Sequence, residues 1–369
     1  MKNVIDYSFL FDFFRNAYAD LSYKKPLGRA KMPLRYFFEL TYRCNLKCPY
    51  CYVGQNRKIE ELSLDDWMKI ISQIPPYSFV TLVGGEPLIR EDFKEILFKC
   101  AKRTFGKLNV VTNGILMNGD IIDSFVKSKM MLLSVSLDGW GKNHDKNRAT
   151  EGIFEKIKSN LDNLNDRKKR PMVDIKTIVL KDNLDDLLKL YEYCTRSGFE
   201  FFSVSFLRNN DLKQNSILRE NFGPEFYETN YPIEQYFNLD EFEKIFKEIN
   251  KIRKHSKTKI RFSPKFEDSD FDFELSKIRD FFTNKKNALP RDIYEPCKFP
   301  YSNMIINPKG DVYPCLSLKI GNVKDKKLID VYNEAKFKCF RNNLKYSKVF
   351  TSCQMCCELK VKNHIGDKT

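Results

Sequence analysis

The chain of 369 residues has only three histidines, His144, His255 and His364. None lies in sequence near its densest group of cysteines, so a local Cys/His zinc set is excluded there. Glycine and proline are sparse, at 15 each, while 42% of residues are hydrophobic and 31% charged. That balance excludes disorder over any long span. No apolar run reaches the length a bilayer crossing requires, and there is no internal repeat or low-complexity tract. The opening stretch, "MKNVIDYSFLFDFFRNAYADL", has an apolar patch, but Asp6 and Asp12 interrupt it and no small-residue cleavage site follows. It does not read as a secretion signal. A helix packed on its own domain is expected instead, with an interfacial amphipathic helix as the other reading. The expected compartment is the cytoplasm, where eleven cysteines are not a disulfide framework and a cluster of them points to metal.

Acidic charge is outweighed. Lys and Arg number 64 against 49 Asp and Glu, for a formal net charge of +15. The cations are interspersed with acids, as in "FEKIFKEINKIRK" over 242–254. A solvated basic surface is therefore expected, without a dedicated nucleic-acid face.

From about residue 36 two textures alternate. β-rich runs stand at 35–41, 78–84, 108–114, 131–139, 171–180 and 199–207, and the stretches between them have helical periodicity. Ser63 reads as the N-cap of the first helix. Cys100 and Cys194 fall on apolar helix faces and read as core. Six strand–helix units in a row argue for parallel strands with right-handed crossovers. Six are too few for a closed eight-stranded barrel, so the fold class is α/β, a three-quarter β/α barrel with its chemistry at the C-terminal strand ends. The expected partition is an N-terminal helical extension over 1–34, the barrel over 35–270, a linker over 271–296 and a small cysteine-rich α+β domain over 297–369. Residues 209–237 read as a lid, and a helix (about 239–255) and a strand (259–266) follow.

The loop after the first strand reads "TYRCNLKCPYCYV" and holds Cys44, Cys48 and Cys51. Three thiolates with no fourth Cys or His nearby do not make a structural zinc site. They do leave one iron of a four-iron cluster without a protein ligand, open to a small molecule. The alternative is three buried thiols with no metal. After the second strand comes "GGEP", Gly84 to Pro87; the glycines allow close backbone approach to a ligand, and Glu86 supplies an acceptor for an ammonium. "TNG" with Asn113 and "SLDG" with Ser136 and Asp138 follow at the next two strand ends.

In this order, behind C-x3-C-x2-C, the set resembles the radical S-adenosylmethionine enzymes over roughly residues 36–266. The resemblance implies a 4Fe-4S cluster on Cys44, Cys48 and Cys51. Its open iron takes the amino and carboxylate groups of S-adenosylmethionine, and a 5′-deoxyadenosyl radical abstracts hydrogen from substrate. It also implies cofactor contacts from Gly84, Gly85 and Glu86 to the methionine amino group, from Asn113, Ser136 and Asp138 at the strand ends, from Tyr50 near the adenine, and from Arg148 of "HDKNR" to the methionine carboxylate.

A second group comprises Cys297, Cys315, Cys353, Cys356 and Cys357. Between its two halves, "YSNMIINPKGDVYPC" reads as a hairpin turning at Pro308–Gly310, followed by a helix. The pattern C-x12-G-x4-C with a later C-x2-C resembles the C-terminal extension of many radical S-adenosylmethionine enzymes, known as SPASM or, in its truncated single-cluster form, twitch. The truncated form fits better, which implies one auxiliary 4Fe-4S cluster on Cys297, Cys315, Cys353 and Cys356. A structural zinc is the alternative. Cys357 is a spare thiol or a hydrogen-atom donor, and Cys339, in the presumed helix, reads as structural.

The expectation is an oxidoreductase or peptide-modifying enzyme. Its substrate is a peptide or protein, or alternatively a sugar or other small metabolite. The reductant is a protein such as flavodoxin or ferredoxin. The competing reading from another class is a non-enzymatic zinc and nucleic-acid module, which has no need of the strand-end motifs.

Overall fold

The computed structural model describes residues 7–51, 53, 59–207, 237–266, 271–283, 290–315, 318–324, 326–350, 353, 356 and 358–362, with the backbone alone for 7–13, 273 and 290. The expected lid, Phe237 apart, and Cys357 lie outside the described residues.

The six strands read from the sequence are present as β1 (Arg35–Glu39), β2 (Phe79–Val83), β3 (Leu108–Thr112), β4 (Leu132–Ser136), β5 (Met172–Val179) and β6 (Phe201–Phe206). All pair in parallel with their sequence neighbours. The helices between them are α2 (Leu64–Gln73), α3 (Phe93–Thr104), α4 (Gly119–Ser128), α5 (Lys142–Asn147), α6 (Ile153–Asn165) and α7 (Leu184–Ser197), with α1 (Tyr7–Tyr23) ahead of the sheet. Burial explains the texture. Strands such as β2 are covered on both faces and read as nearly continuous apolar runs, while the helices bury one stripe. Ser63 caps α2 in a capping box with Asp66. Cys100 and Cys194 are fully buried, as their helix faces imply.

The sheet is longer than six strands. β7 (Lys259–Ser263) joins β6 in parallel, and β8 (Asn303–Ile306) joins the other edge, parallel to β1. β9 (Asp311–Tyr313) and β10 (Gly321–Asn322) continue antiparallel from β8. The hairpin read at Pro308–Gly310 is there, but its first strand belongs to the barrel sheet. Ten strands run in the order β10-β9-β8-β1-β2-β3-β4-β5-β6-β7.

Two further expectations need correction. The stretch taken as linker carries α9 (Phe271–Thr283), which with α8 (Leu239–Arg253) covers the β6–β7 end. Leu275, Ile278, Phe281 and Phe282 of α9 are buried. Phe206 sits in an aromatic group with Phe237, Phe242, Phe262 and Phe282, at centroid distances of 5.0–6.4 Å. Cys339, read as structural, is exposed. It lies on the outer face of a helix whose inner face is Phe337, Phe340, Arg341 and Leu344. That helix is α12 (Ala335–Ser347), following α10 (Pro290–Ile293) and α11 (Leu328–Tyr332).

The N-terminal helix packs on the protein, as expected, and its partners are C-terminal. Arg15 pairs with Glu358, Asp20 with Lys298, and the Tyr23 ring meets Tyr301 edge-on.

Candidate active site

The C-terminal ends of β1 to β4 converge on the cysteine loop. The contact between that loop and "GGEP" is made by backbone. Gly85 N–H donates to Thr41 O at 2.7 Å, and Glu86 N–H to Arg43 O at 2.9 Å. A Cβ on Gly84 or Gly85 would be driven into the carbonyl oxygens of Thr41 or Arg43, and Gly84 also has φ +137°. The glycines thus allow two loops to press together; close approach to a ligand is not what their geometry first explains.

Glu86 is likewise a latch. Its carboxylate is fully buried and accepts from Leu88 N–H (3.1 Å), Thr112 Oγ1 (2.8 Å) and Asn113 N–H (2.7 Å). Burial pushes its pKa up to about 7, against the pull of these three donors. The motif suggests an acceptor for an ammonium; in the fold the carboxylate oxygens face inward. Asn113 extends the latch, donating from Nδ2 to Asn45 Oδ1 at 2.7 Å within the cysteine loop and lying 4.0 Å from Cys44 Sγ.

Asp138 is the second hub. It is buried past the end of β4. It accepts from Ile178 N–H (2.8 Å) and from Tyr50 Oη (2.6 Å), and it pairs with Arg148 Nη2 at 2.5 Å. Arg148 Nη1 donates to Cys48 Sγ at 3.6 Å, and its guanidinium lies 5.9 Å from the Tyr50 ring centroid. Burial pushes the Cys48 thiol up while Arg148 pulls it down. Tyr50 and Arg148, assigned separately from the sequence, are therefore one unit with Asp138 and the cysteine loop. Ser136 stands half-buried at the end of β4.

The C-terminal thiols are half-buried against the core. Burial raises the Cys297 thiol, the Phe299 amide lowers it, and the charge of Cys315 raises it further. Cys356 N–H donates to Cys353 O at 3.2 Å within the second half of the group, and Cys297 N–H donates to Lys348 O at 2.9 Å, which ties the first half to the segment ahead of Cys353.

Several residues that shape the site carry no sequence signal of their own. Arg90 is buried and donates to Leu40 O (3.0 Å) and Leu62 O (3.2 Å) while pairing with Glu61 and Asp92. His144, far from the cysteines in sequence, joins the Asp138 hub: its Nδ1 accepts from Asp138 N–H at 3.0 Å. That fixes the proton on Nε2, which is buried and, among the described residues, unpartnered. Burial lowers its pKa to about 4, helped by Arg148. Asp174 is buried and accepts from Ser203 Oγ at 2.7 Å, with Lys176 Nζ at 3.2 Å.

The donor set fits an iron–sulfur cluster. Leu46 N–H lies 3.4 Å from Cys44 Sγ and Arg148 faces Cys48 Sγ, the kind of outer hydrogen bonds that hold metal-bound thiolates. Among the described residues no three Cys, His, Asp or Glu side chains converge on one point as ligands of a single ion. A four-iron cluster takes its thiolates at separate corners.

Comparison with known proteins agrees. Residues 38–194 match the model of the radical SAM superfamily, and residues 297–357 match an iron–sulfur cluster-binding domain. The sporulation killing factor maturation protein SkfB of Bacillus subtilis is 27% identical over 178 residues, 46% of this chain and 42% of that protein. The AdoMet-dependent heme synthase of Methanosarcina barkeri is 33% identical over 177 residues, 46% of this chain and 49% of that protein. The chain thus matches about half the length of these relatives or less. Streptococcus suis SuiB bound to precursor peptide SuiA superposes with a TM-score of 0.62 at 18% identity, covering 90% of this chain and 72% of that one. The likeness to SuiB is one of fold.

Proposed function

Because the chain belongs to the radical SAM superfamily and carries an iron–sulfur cluster-binding domain after it, we propose that it is a peptide-modifying radical enzyme. Cys44, Cys48 and Cys51 hold the cluster that binds S-adenosylmethionine. Cys297, Cys315, Cys353 and Cys356 hold one auxiliary cluster. When bound, the first cluster with S-adenosylmethionine supplies a carbon-centred radical able to take hydrogen from an unactivated C–H bond, and the second carries an electron.

The chain's own residues prepare that site. Glu86 and Asn113 fix the ends of β2 and β3 to the cysteine loop. Asp138 holds Tyr50 and Arg148 so that a guanidinium faces Cys48. Gly84, Gly85 and Ser136 line the strand-end rim where S-adenosylmethionine binds. In this reading residues 35–270 make the radical and 297–369 handle the electron. A flavodoxin- or ferredoxin-type protein is the reductant, and a chain of net charge +15 suits an acidic partner of that kind. Among the described residues no helix is long and apolar enough to cross a membrane.

The observation that carries the chemistry is the three-cysteine loop at the end of β1, bonded to the ends of β2, β3 and β4. The peptide substrate is supported by SkfB, named a maturation protein, and by SuiB, solved with a precursor peptide. A small-metabolite substrate is the second reading, favoured by the match to a heme synthase. The test is anaerobic reconstitution with dithionite and S-adenosylmethionine. Slow release of 5′-deoxyadenosine is expected, and it is lost in Cys44→Ala, Cys48→Ala and Cys51→Ala. Release retained in all three variants overturns the assignment.

A further inference from the structure

The turn after α1, residues 25–31, folds against α12. Gly28 adopts φ +63°, and a Cβ there would collide with the Lys338 carbonyl oxygen, so the two backbones touch. Beside this contact lies a cavity of about 300 Å³ lined by Lys25, Arg29, Ala30, Lys31, Asn333 and Lys338. Four of the six are cations. Among the described residues, none of these four cations has a carboxylate partner. Neighbouring cations do: Arg15 pairs with Glu358, Lys298 with Asp20, and Lys326 with Glu334. The Asn333 amide is already engaged with both the N–H and the C=O of Ala30.

A fifth positive charge lies beneath. Arg341, three residues beyond Lys338 on α12, is fully buried. Its Nε donates to Pro300 O at 2.8 Å and its Nη1 to Gly28 O at 3.1 Å, while Nη2 has no hydrogen-bond partner among the described residues. Its guanidinium lies 4.0 Å from the Tyr332 ring centroid and 4.1 Å from that of Phe337. Carbonyls and rings orient it, and among the described residues no carboxylate neutralises it. Unpaired cations in and under a concave surface raise the local potential and concentrate anions.

We propose that this cavity docks an acidic segment of the peptide substrate. The proposal rests on the peptide reading above. The cations come from two backbone segments, a turn and a helix. They offer carboxylates several separate cations around the cavity, unlike a single fork closed around one oxyanion. The helix that leads into the turn is itself tied to the segment after Cys297, since Asp20 pairs with Lys298 and Tyr23 packs on Tyr301.

The test uses the anaerobically purified full chain and a fluorescein-labelled hexaglutamate peptide, with binding read by fluorescence anisotropy. The double variant Lys25→Glu/Arg29→Glu is expected to weaken binding about tenfold, while Lys168→Glu/Lys169→Glu weakens it less than about twofold. The second pair is exposed on the turn after α6 and makes the same change in net charge. Equal losses in the two variants overturn the proposal, since net charge alone then accounts for binding. Displacement of the peptide by an equal concentration of inorganic phosphate also overturns it, as that marks a small-anion site. Hexaglutamate binds or fails to bind whatever reaction follows. Failure of the peptide reading is seen separately, by mass spectrometry of peptides incubated with reduced enzyme and S-adenosylmethionine.

Discussion

Tyr50 donates its hydroxyl hydrogen to Asp138 Oδ2 over 2.6 Å and ties the cysteine loop to the end of β4 across 88 residues of sequence. The same carboxylate faces Arg148, so the two bonds differ greatly in what their loss leaves behind. Tyr50→Phe removes one hydrogen bond and is expected to cost about 1 kcal/mol. Asp138→Ala strands a buried guanidinium and is expected to cost about 3–5 kcal/mol. Urea denaturation of the two variants checks the ranking; similar losses would contradict it.

Glu86 and His144 give stability opposite dependences on pH. The folded pKa of Glu86 is raised from 4.5 to about 7. Its contribution is full below about pH 4.5 and lost as pH rises toward 7. The folded pKa of His144 is lowered from 6.5 to about 4. Its contribution is full above pH 6.5 and lost as pH falls toward 4. Each is worth about 3 kcal/mol over its window, and between pH 4.5 and 6.5 they offset. Glu86→Gln should therefore expose stability that rises with pH, and His144→Asn stability that falls with it. Denaturation midpoints that run parallel to the wild type in both variants would refute the assignment.

Gly85→Ala places a methyl group against the Arg43 carbonyl, a backbone atom that cannot rotate away. The cysteine loop must lift from β2. Iron bound after reconstitution is expected to fall by about half, with a loss of stability above about 2 kcal/mol. An Ala variant with full iron content would show that the loop contact does not hold the thiols.

The exposed Cys339 supplies a control. Cys339→Ser should leave iron content unchanged and shift stability by less than about 0.5 kcal/mol. Cys44→Ala and Cys297→Ala should each remove about half of the iron, the share of one of two like clusters. A loss of iron in Cys339→Ser would revise the ligand sets.

The units from β1 to β6 were legible because the strands are mostly buried and each helix is buried on one stripe, so texture alternates along the chain. The strand-end motifs were legible because they follow those strands. What they do was less so. Gly84 and Gly85 read as room for a ligand, yet their contacts are with Thr41 and Arg43, a pairing no local pattern encodes. The bond between His144 and Asp138 left no mark in the sequence, because no local pattern encodes a side chain turning back on the backbone six residues before it. The four residues of β8 form too short a run to reveal that their partner is β1. Cys339 was misread because the apolar stripe of α12 falls on Phe337, Phe340 and Leu344, which leaves position 339 facing out.

The parallel pairing of β8 with β1 has a consequence for any attempt to dissect the molecule. The two family matches, at 38–194 and 297–357, invite cutting the chain between them. Yet β1, from which the cysteine loop springs, has one of its two hydrogen-bonded neighbours in the later segment. A truncated barrel would present that strand as a bare, apolar edge, open to pairing with another molecule. Portions that are separate as inherited modules are here a single object of folding. An isolated N-terminal fragment should aggregate, and co-expression with the C-terminal fragment should rescue it.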